Sequence, residues 1–274
     1  MTLKQFIWAS LIAIAATGCS EKQDGLKVMS FNVRTGKADD GENSWDIRKP
    51  AAIAMLDEIN PDLVGLQEAL PFQEEYLTEG CPRYKSFGVG RDDGVNGEKM
   101  TVLYNSERIE FMDGGTWWLS ETPDVPSRGW DAKYPRTATW ILAKDISNGR
   151  QFYFVNTHLD HRGAEARKRG LALVMDKCRE MNPEIPMILM GDLNVEPGDP
   201  CLEDVEHNMV NARTAAAISE DTPSFNGFQK PKKVIDYIYF KGFSGASEFH
   251  VVTKEYEGKP FISDHYPIYT VLSY

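Results

Sequence analysis

The sequence predicts an α/β (α+β) fold in four layers, αββα: two mixed β-sheets packed face to face, with helices outside each. Three observations carry this expectation. From Leu26 onward the chain alternates strand and helix signals with no linker, repeat or low-complexity break, so one domain is expected. Leu63–Gln67 and Met187–Met190 are short continuous apolar runs of the kind that form buried strands. The middle of the chain and its C-terminal part are rich in further strand patterns, which two sheets with outer helices would bury.

The elements follow in order. Leu26–Val33 reads as the first strand. Pro50 is well placed to open a helix through Ile59, with Ala52, Met55, Leu56 and Ile59 facing inward, and Asn60-Pro61-Asp62 stops it. After the strand Leu63–Gln67 comes a Pro71-led helix to about Glu79. Lys99–Tyr104, Ile109–Met112, Arg136–Asp145 and Gln151–Thr157 read as strands, with Asn148-Gly149 as the hairpin turn between the last two. Gly163–Met181 is the longest expected helix and Met187–Met190 a buried strand. Ile235–Phe240, Glu248–Thr253 and Ile268–Leu272 complete a second β-rich half.

Composition narrows the partners. Hydrophobic residues at 42% and charged residues at 26% of 274 exclude a disordered chain and a polytopic membrane protein. A net charge of −11 repels a polyanion, so broad nucleic-acid binding by charge alone is not expected.

The N-terminus reads as an export segment. Lys4 precedes an uncharged apolar run, Phe6–Ala16, which has the length of a signal-peptide core and is too short to span a bilayer. It ends at Ala16-Thr17-Gly18-Cys19, which resembles the lipobox of bacterial lipoproteins, where the cysteine is lipidated and becomes the first mature residue. Residues 1–18 are therefore expected to be a lipoprotein signal peptide, 19–25 a lipidated Cys19 and polar tether, and 26–274 the folded domain. That implies an exported protein anchored to a bacterial membrane, at the outer membrane or cell surface; the alternative is a plain secretory peptide with an incidental cysteine. Cys81, Cys178 and Cys201 remain, with no zinc-site spacing. Cys178 shares a helix face with Leu171, Val174 and Met175 and is expected to be a buried, inert thiol. No disulfide is required, and a Cys81–Cys201 pair stays open.

Polar residues recur at strand ends. Asn32 ends the first strand, Glu68 follows Leu63–Gln67, and His158 follows Phe152–Val155. Asp192 and Asn194 follow Met187–Met190, Asp236 begins a strand, and Asp264-His265 precedes the last one. Each alone suits a turn or cap. Together, on one edge of a sheet sandwich, they can form one cleft.

These residues lie in motifs that resemble, in order, those of the endonuclease/exonuclease/phosphatase superfamily. They are Met29-Ser30-Phe31-Asn32, Leu66-Gln67-Glu68, Asn156-Thr157-His158, Gly191-Asp192-Leu193-Asn194, Ile235-Asp236-Tyr237 and Ser263-Asp264-His265. The resemblance runs from about residue 26 to 272 and implies a deoxyribonuclease I-like sandwich that hydrolyses phosphoesters. Such chemistry needs a divalent cation, a positioned water and donors for developing charge. Oxygen ligands suit Mg²⁺, with Mn²⁺ as a substitute. The resemblance makes Glu68 the main metal ligand, with Asn32 beside it and Asp264 contributing. It makes Asp192 the residue that orients or deprotonates the attacking water, helped by Asn194. His265 would donate to a phosphate oxygen or act as base, with Asp236 holding its ring. His158 would contact the scissile phosphate or assist the leaving group, and Glu98 matches the carboxylate that orients it, or is a solvated loop acid. Arg136 would clamp a phosphate oxygen, or is an edge-strand surface charge.

Other residues carry weaker expectations. Arg162, Arg167, Lys168 and Arg169 could draw anions to the cleft, Arg167 first, or form a solvated helix start. Trp117, Trp118 and Trp130 flank the loop Glu121–Pro135, which reads as a lid or specificity loop or as packing on the sandwich edge. His161, His207 and His250 match no motif and are expected at the surface. The whole predicts a lipid-anchored, Mg²⁺-dependent phosphoesterase, monomeric and without an obligate protein partner. Its substrate would be a small phosphoester, a lipid head group or a short nucleic acid. The alternatives are a sphingomyelinase-like head-group phosphodiesterase and, from another class, a non-catalytic surface binding lipoprotein.

Overall fold

The computed structural model describes residues 25–229 and 232–274; Cys19 and the rest of the expected export segment lie outside the described residues. Strand Leu26–Asn32 (β1) leads through helix Trp45–Ile59 (α1) to strand Leu63–Gln67 (β2), which lies parallel to β1 with Gln67 opposite Asn32. Pro71–Gly80 (α2), Tyr84–Phe87 (β3), Val102–Asn105 (β4), Ile109–Trp118 (β5) and Thr137–Asp145 (β6) follow. A second parallel unit then runs from Gln151–His158 (β7) through Ala164–Glu180 (α3) to Met187–Asp192 (β8), with His158 opposite Asp192. The remaining elements are Glu203–Asn208 (α4), Val210–Asn211 (β9), Ala212–Ala215 (α5), Ile218–Ser219 (β10), Asp236–Lys241 (β11), Gly245–Val251 (β12) and Ile268–Ser273 (β13).

The strands form two mixed sheets, ordered β10-β12-β13-β1-β2-β4-β3 and β5-β6-β7-β8-β11-β9. Strand alternation builds three cores from them. In β1, Val28 faces a core between the sheets with Phe152, Phe154, Ile188 and Ile268, while Met29 and Phe31 face α1 and α2 beside Met55, Leu56 and Leu77. In β8, Ile188 and Met190 face the inter-sheet core, and Leu189 packs with Leu171, Val174 and Met175 of α3. Helix, sheet, sheet and helix are the four layers the sequence predicts.

A polar tie crosses between the sheets beneath the strand ends. Gln67 Nε2 donates to Asn156 Oδ1 (2.7 Å) and Asn156 Nδ2 donates to Leu66 O (2.8 Å), which joins β2 to β7 and sets how the two edges meet. The neighbouring β7–β8 contact needs glycine at Gly191. Its φ is +142°, and a Cβ there would stand 1.8 Å from Thr157 O.

Several element boundaries differ from expectation. Helix α1 opens at Trp45, so Pro50 is inside it; Trp45 and Arg48 both gain buried positions, which outweigh the proline's missing N–H. Strand β5 continues past Met112 to Trp118 through a bulge between Phe111 and Asp113, which breaks the alternation. Strand β4 begins only at Val102, β12 at Gly245, and both β7 and β8 run on to their polar ends, His158 and Asp192. The β6–β7 connection is wider than a two-residue turn, because Asp145 N donates to Arg150 O and the Asp145 carboxylate caps Ser147. The short elements β3, β9, β10, α4 and α5 carry no periodicity that would announce them. All three described cysteines are free, so no Cys81–Cys201 bond forms; burial pushes the Cys178 thiol up to about 12.

Candidate active site

The topology delivers the polar residues to one place. Asn32, Glu68, His158 and Asp192 stand at the C-terminal ends of the two central parallel pairs, and antiparallel β11 starts opposite with Asp236 paired to Asp192. The loop before β13 supplies Asp264 and His265. Glu68, His158, Asp192, Asp264 and His265 line a cleft of about 1050 Å³ between the two sheet edges, with Asn32 and Asp236 buried and hydrogen-bonded behind them.

Asp192 is the centre of the constellation. Its Oδ2 accepts from Asn32 Nδ2 (3.1 Å) and lies 3.4 Å from His158 Nε2 and 3.6 Å from His265 Nε2; its Oδ1 accepts from Asn194 N (3.0 Å). Burial pushes its carboxyl above the usual range, the Asp236 and Glu68 charges add to this, and His265 opposes it. His265 Nδ1 donates to Asp236 Oδ2 (2.8 Å), and the ring sits edge-on to Phe225. Burial would lower the His265 pKa, but the carboxylates of Asp236 and Asp192 outweigh it and hold the imidazole charged.

Asn32, Glu68 and Asp264 form the neighbouring part. Glu68 accepts from Asn32 Nδ2 (3.1 Å) and Thr35 N (3.0 Å). These bonds overcome the effect of burial and keep its carboxyl ionised below the ordinary value. Asn32 Oδ1 accepts Arg34 N (2.9 Å), so the amide nitrogen faces Glu68 and Asp192. Asn32 thus lies beside Glu68 and bridges two carboxylates as a donor. Asp264 is pushed up by burial and by Glu68, with Arg34 Nη1 3.7 Å away. Two mutually repelling carboxylates at the cleft, Asp264 buried and Glu68 half-buried, with all-oxygen chemistry fit a hard divalent cation such as Mg²⁺ or Mn²⁺. Asp192, Asp236 and His265 also bring ligand atoms within 4.8 Å of one another, but the near oxygen of Asp236 is committed to His265. Arg34, Glu68 and Asn194 all have positive φ, at +54°, +60° and +52°.

The opposite wall carries His158. Arg136 is 4% exposed, which removes the surface-charge alternative, and it touches His158 Nδ1 (3.0 Å), His161 Nδ1 (2.9 Å) and Asp160 Oδ2 (3.4 Å). A guanidinium only donates, so His158 Nδ1 accepts from Arg136, while Nε2 lies 3.0 Å from Asn194 Nδ2 and 3.4 Å from Asp192 Oδ2. Burial, with Arg136 and Arg91, keeps His158 well below the ordinary histidine value. Glu98 lines the same cleft, but its carboxylate bonds Arg91 and not His158. Its expected pairing is corrected, because Arg136 already occupies the histidine's Nδ1. Arg167 lines the cleft and donates to Asp160 O (3.0 Å), whereas Arg162, Lys168 and Arg169 are exposed outside it. The three tryptophans stay off the cleft: Trp118 is buried, and Trp117 stacks on Trp140. His161 and His207 are exposed as expected, His250 is half-buried against Glu220, and His161 also borders the site.

The sequence profile of the Endonuclease/Exonuclease/phosphatase family matches residues 29–265. The chain belongs to this family. Among similar solved structures, an endonuclease/exonuclease/phosphatase from Bacteroides vulgatus is 33% identical with a TM-score of 0.86, covering 91% of this chain and 98% of that one. A mannosyl-6-phosphatase from Bacteroides thetaiotaomicron is 31% identical with a TM-score of 0.87, covering 91% and 100%. The tyrosyl-DNA phosphodiesterase 2 of Danio rerio is 24% identical over 188 residues, 67% of this chain and 45% of that protein.

As a member of the endonuclease/exonuclease/phosphatase family, the chain is a hydrolase of phosphoester bonds. Sequence reading missed Arg34, Arg91, Tyr134 and Asp160, all outside the short motifs. Asp160 accepts from Arg162 N (2.9 Å) and Gly163 N (2.8 Å) as well as from Arg136. Its position two residues after His158 was the available signal. Arg91 and Tyr134 come from irregular loops, where no period exists to place them.

Proposed function

We propose that this chain removes the terminal phosphate from a small phosphomonoester, a sugar phosphate first among them, with Mg²⁺ or Mn²⁺. The observation that carries the reading is Asp192, held among His158, His265 and Asn32 in a cleft whose border includes Arg34, Arg136, Arg167 and Lys233. Local basic groups in a chain of net charge −11 suit one compact phosphate better than a polyanion. Similarity to the mannosyl-6-phosphatase over the whole of that chain supports the same class.

In this mechanism Asp192 accepts the proton of the attacking water as the water's oxygen bonds to phosphorus, and the backbone N–H of Asn194 holds the other Asp192 oxygen in place. The bond from phosphorus to the ester oxygen breaks, and that oxygen takes a proton from solvent to leave as the alcohol. Charge on the phosphoryl oxygens is met by the charged His265, with Asp236 fixing its ring, and His158, held by Arg136 and Asn194, stands beside Asp192 on the opposite wall. Glu68 and Asp264 would hold the cation, which supplies neutralisation of phosphate oxygens.

EDTA is expected to abolish activity and Mg²⁺ or Mn²⁺ to restore it; full activity in the chelated protein defeats the mechanism. A panel of hexose phosphates, aryl phosphodiesters, sphingomyelin and oligonucleotides tests the class, and turnover confined to the diesters overturns it. The proposed location is a bacterial membrane, by lipid on Cys19, and rests on the residue pattern alone. Cys19→Ser is expected to leave the membrane fraction or stall in processing. Wild-type protein wholly soluble, with a mature N-terminus elsewhere, overturns the anchor.

A further inference from the structure

We propose that Arg91, Glu98 and Tyr134 form a leaving-group subsite that takes the adjacent hydroxyls and apolar face of a sugar or related polyol. This rests on the phosphomonoesterase reading and names the part of the substrate beyond its phosphate. The three residues line the cleft of His158 and Asp192, and no step of the hydrolysis uses them.

The wall is built rather than incidental. Gly90 pairs with Lys99 and Arg91 N donates to Glu98 O (3.0 Å), so Arg91 and Glu98 face each other across the neck of a hairpin loop. Trp118 Nε1 donates to Arg91 O (2.7 Å) and fixes that neck against the second sheet. Arg91 is 8% exposed, its Nη1 bonds the Glu98 carboxylate, and its buried Nε makes no hydrogen bond among the described residues, with Asp92 Oδ1 3.8 Å away. The Arg91 guanidinium lies 5.1 Å from the Tyr134 ring centre, and Tyr134, 42% exposed, stacks on His161.

The chemistry of the wall selects the ligand. A carboxylate only accepts and a guanidinium only donates, whereas a hydroxyl does both. Two neighbouring hydroxyls can therefore donate to Glu98 and accept from Arg91 at once. Because the pair neutralises itself, it does not compete with the basic border for the phosphate, as an isolated arginine would. Tyr134 lies beside Arg91 and His161 yet stays exposed, and the uncovered part of its ring offers contact area to the C–H side of a sugar ring.

The test compares hexose 6-phosphate with n-hexyl phosphate, which share the phosphate and a primary alcohol leaving group, in the Mg²⁺-loaded wild type, Glu98→Gln and Tyr134→Ala. Wild type should prefer the hexose ester by about tenfold or more in kcat/KM, since a site built to bond hydroxyls rejects an analogue lacking them. Both variants should lower that ratio by about tenfold, mainly through KM for the hexose ester. Tyr134 is exposed, so Tyr134→Ala keeps the test valid if Glu98→Gln fails to fold. Equal losses on the two esters would assign these residues to phosphate binding or to the fold and overturn the subsite. A wild type that hydrolyses both esters equally well overturns it while the phosphomonoesterase reading stands. One that hydrolyses neither, yet cuts diesters, overturns both.

Discussion

Asp192→Asn should lower kcat on phosphomonoesters by about 10²-fold or more while the protein still folds. The amide keeps the shape of the carboxylate but cannot take the water's proton, and it removes one of the three charges that keep His265 protonated. Stability should hold or rise, because burial already opposes ionisation at this position. His265→Ala should lose turnover to a similar degree. Near-normal kcat in His265→Ala on every phosphoester tested would show that the site is misassigned. Purified variants, assayed at saturating substrate and Mg²⁺ beside thermal melts, separate loss of chemistry from loss of fold.

Arg48→Met should cost about 3–5 kcal/mol of folding stability, since each buried carbonyl left without a donor costs about 1–3 kcal/mol. Arg48 is 1% exposed and donates to four carbonyls: Val33 O (2.5 Å), Arg34 O (2.8 Å), Asn43 O (3.0 Å) and Ile262 O (3.0 Å). Burial lowers its pKa to about 10, which still leaves it charged at neutral pH. Methionine fills the volume but leaves these acceptors unpaired. Two of the carbonyls follow Asn32 and one precedes Asp264 by two residues, so the same change loosens both loops of the candidate cation site. Urea titration measures the loss, and a change below about 1 kcal/mol would mean that water replaces the guanidinium.

The sandwich was legible because strand patterns state which faces are buried, and the cores sort Val28 from Met29 and Ile188 from Leu189 by alternation alone. Pro50 misled because a helix start is a local signal, whereas Trp45 and Arg48 gain their places from tertiary partners. The polar strand ends were legible as a cleft, since parallel pairing must bring Asn32 and Glu68 together, and likewise His158 and Asp192. Pairings within the cleft were not. That Arg136, and not Glu98, takes His158 depends on how two loops cross, and sequence spacing carries no information about that.

The left-handed backbone at Arg34, Glu68 and Asn194 bears on how the protein fails when heated. Each such residue costs of order 1–3 kcal/mol, against a typical total stability of about 5–15 kcal/mol. The cleft is thus held by the three cores beneath it and has the least reserve of its own. It should come apart locally while the sheets persist, so heat inactivation should precede loss of the circular dichroism signal by several degrees. Coincident curves would mean that the strained turns and the sandwich melt as one cooperative unit.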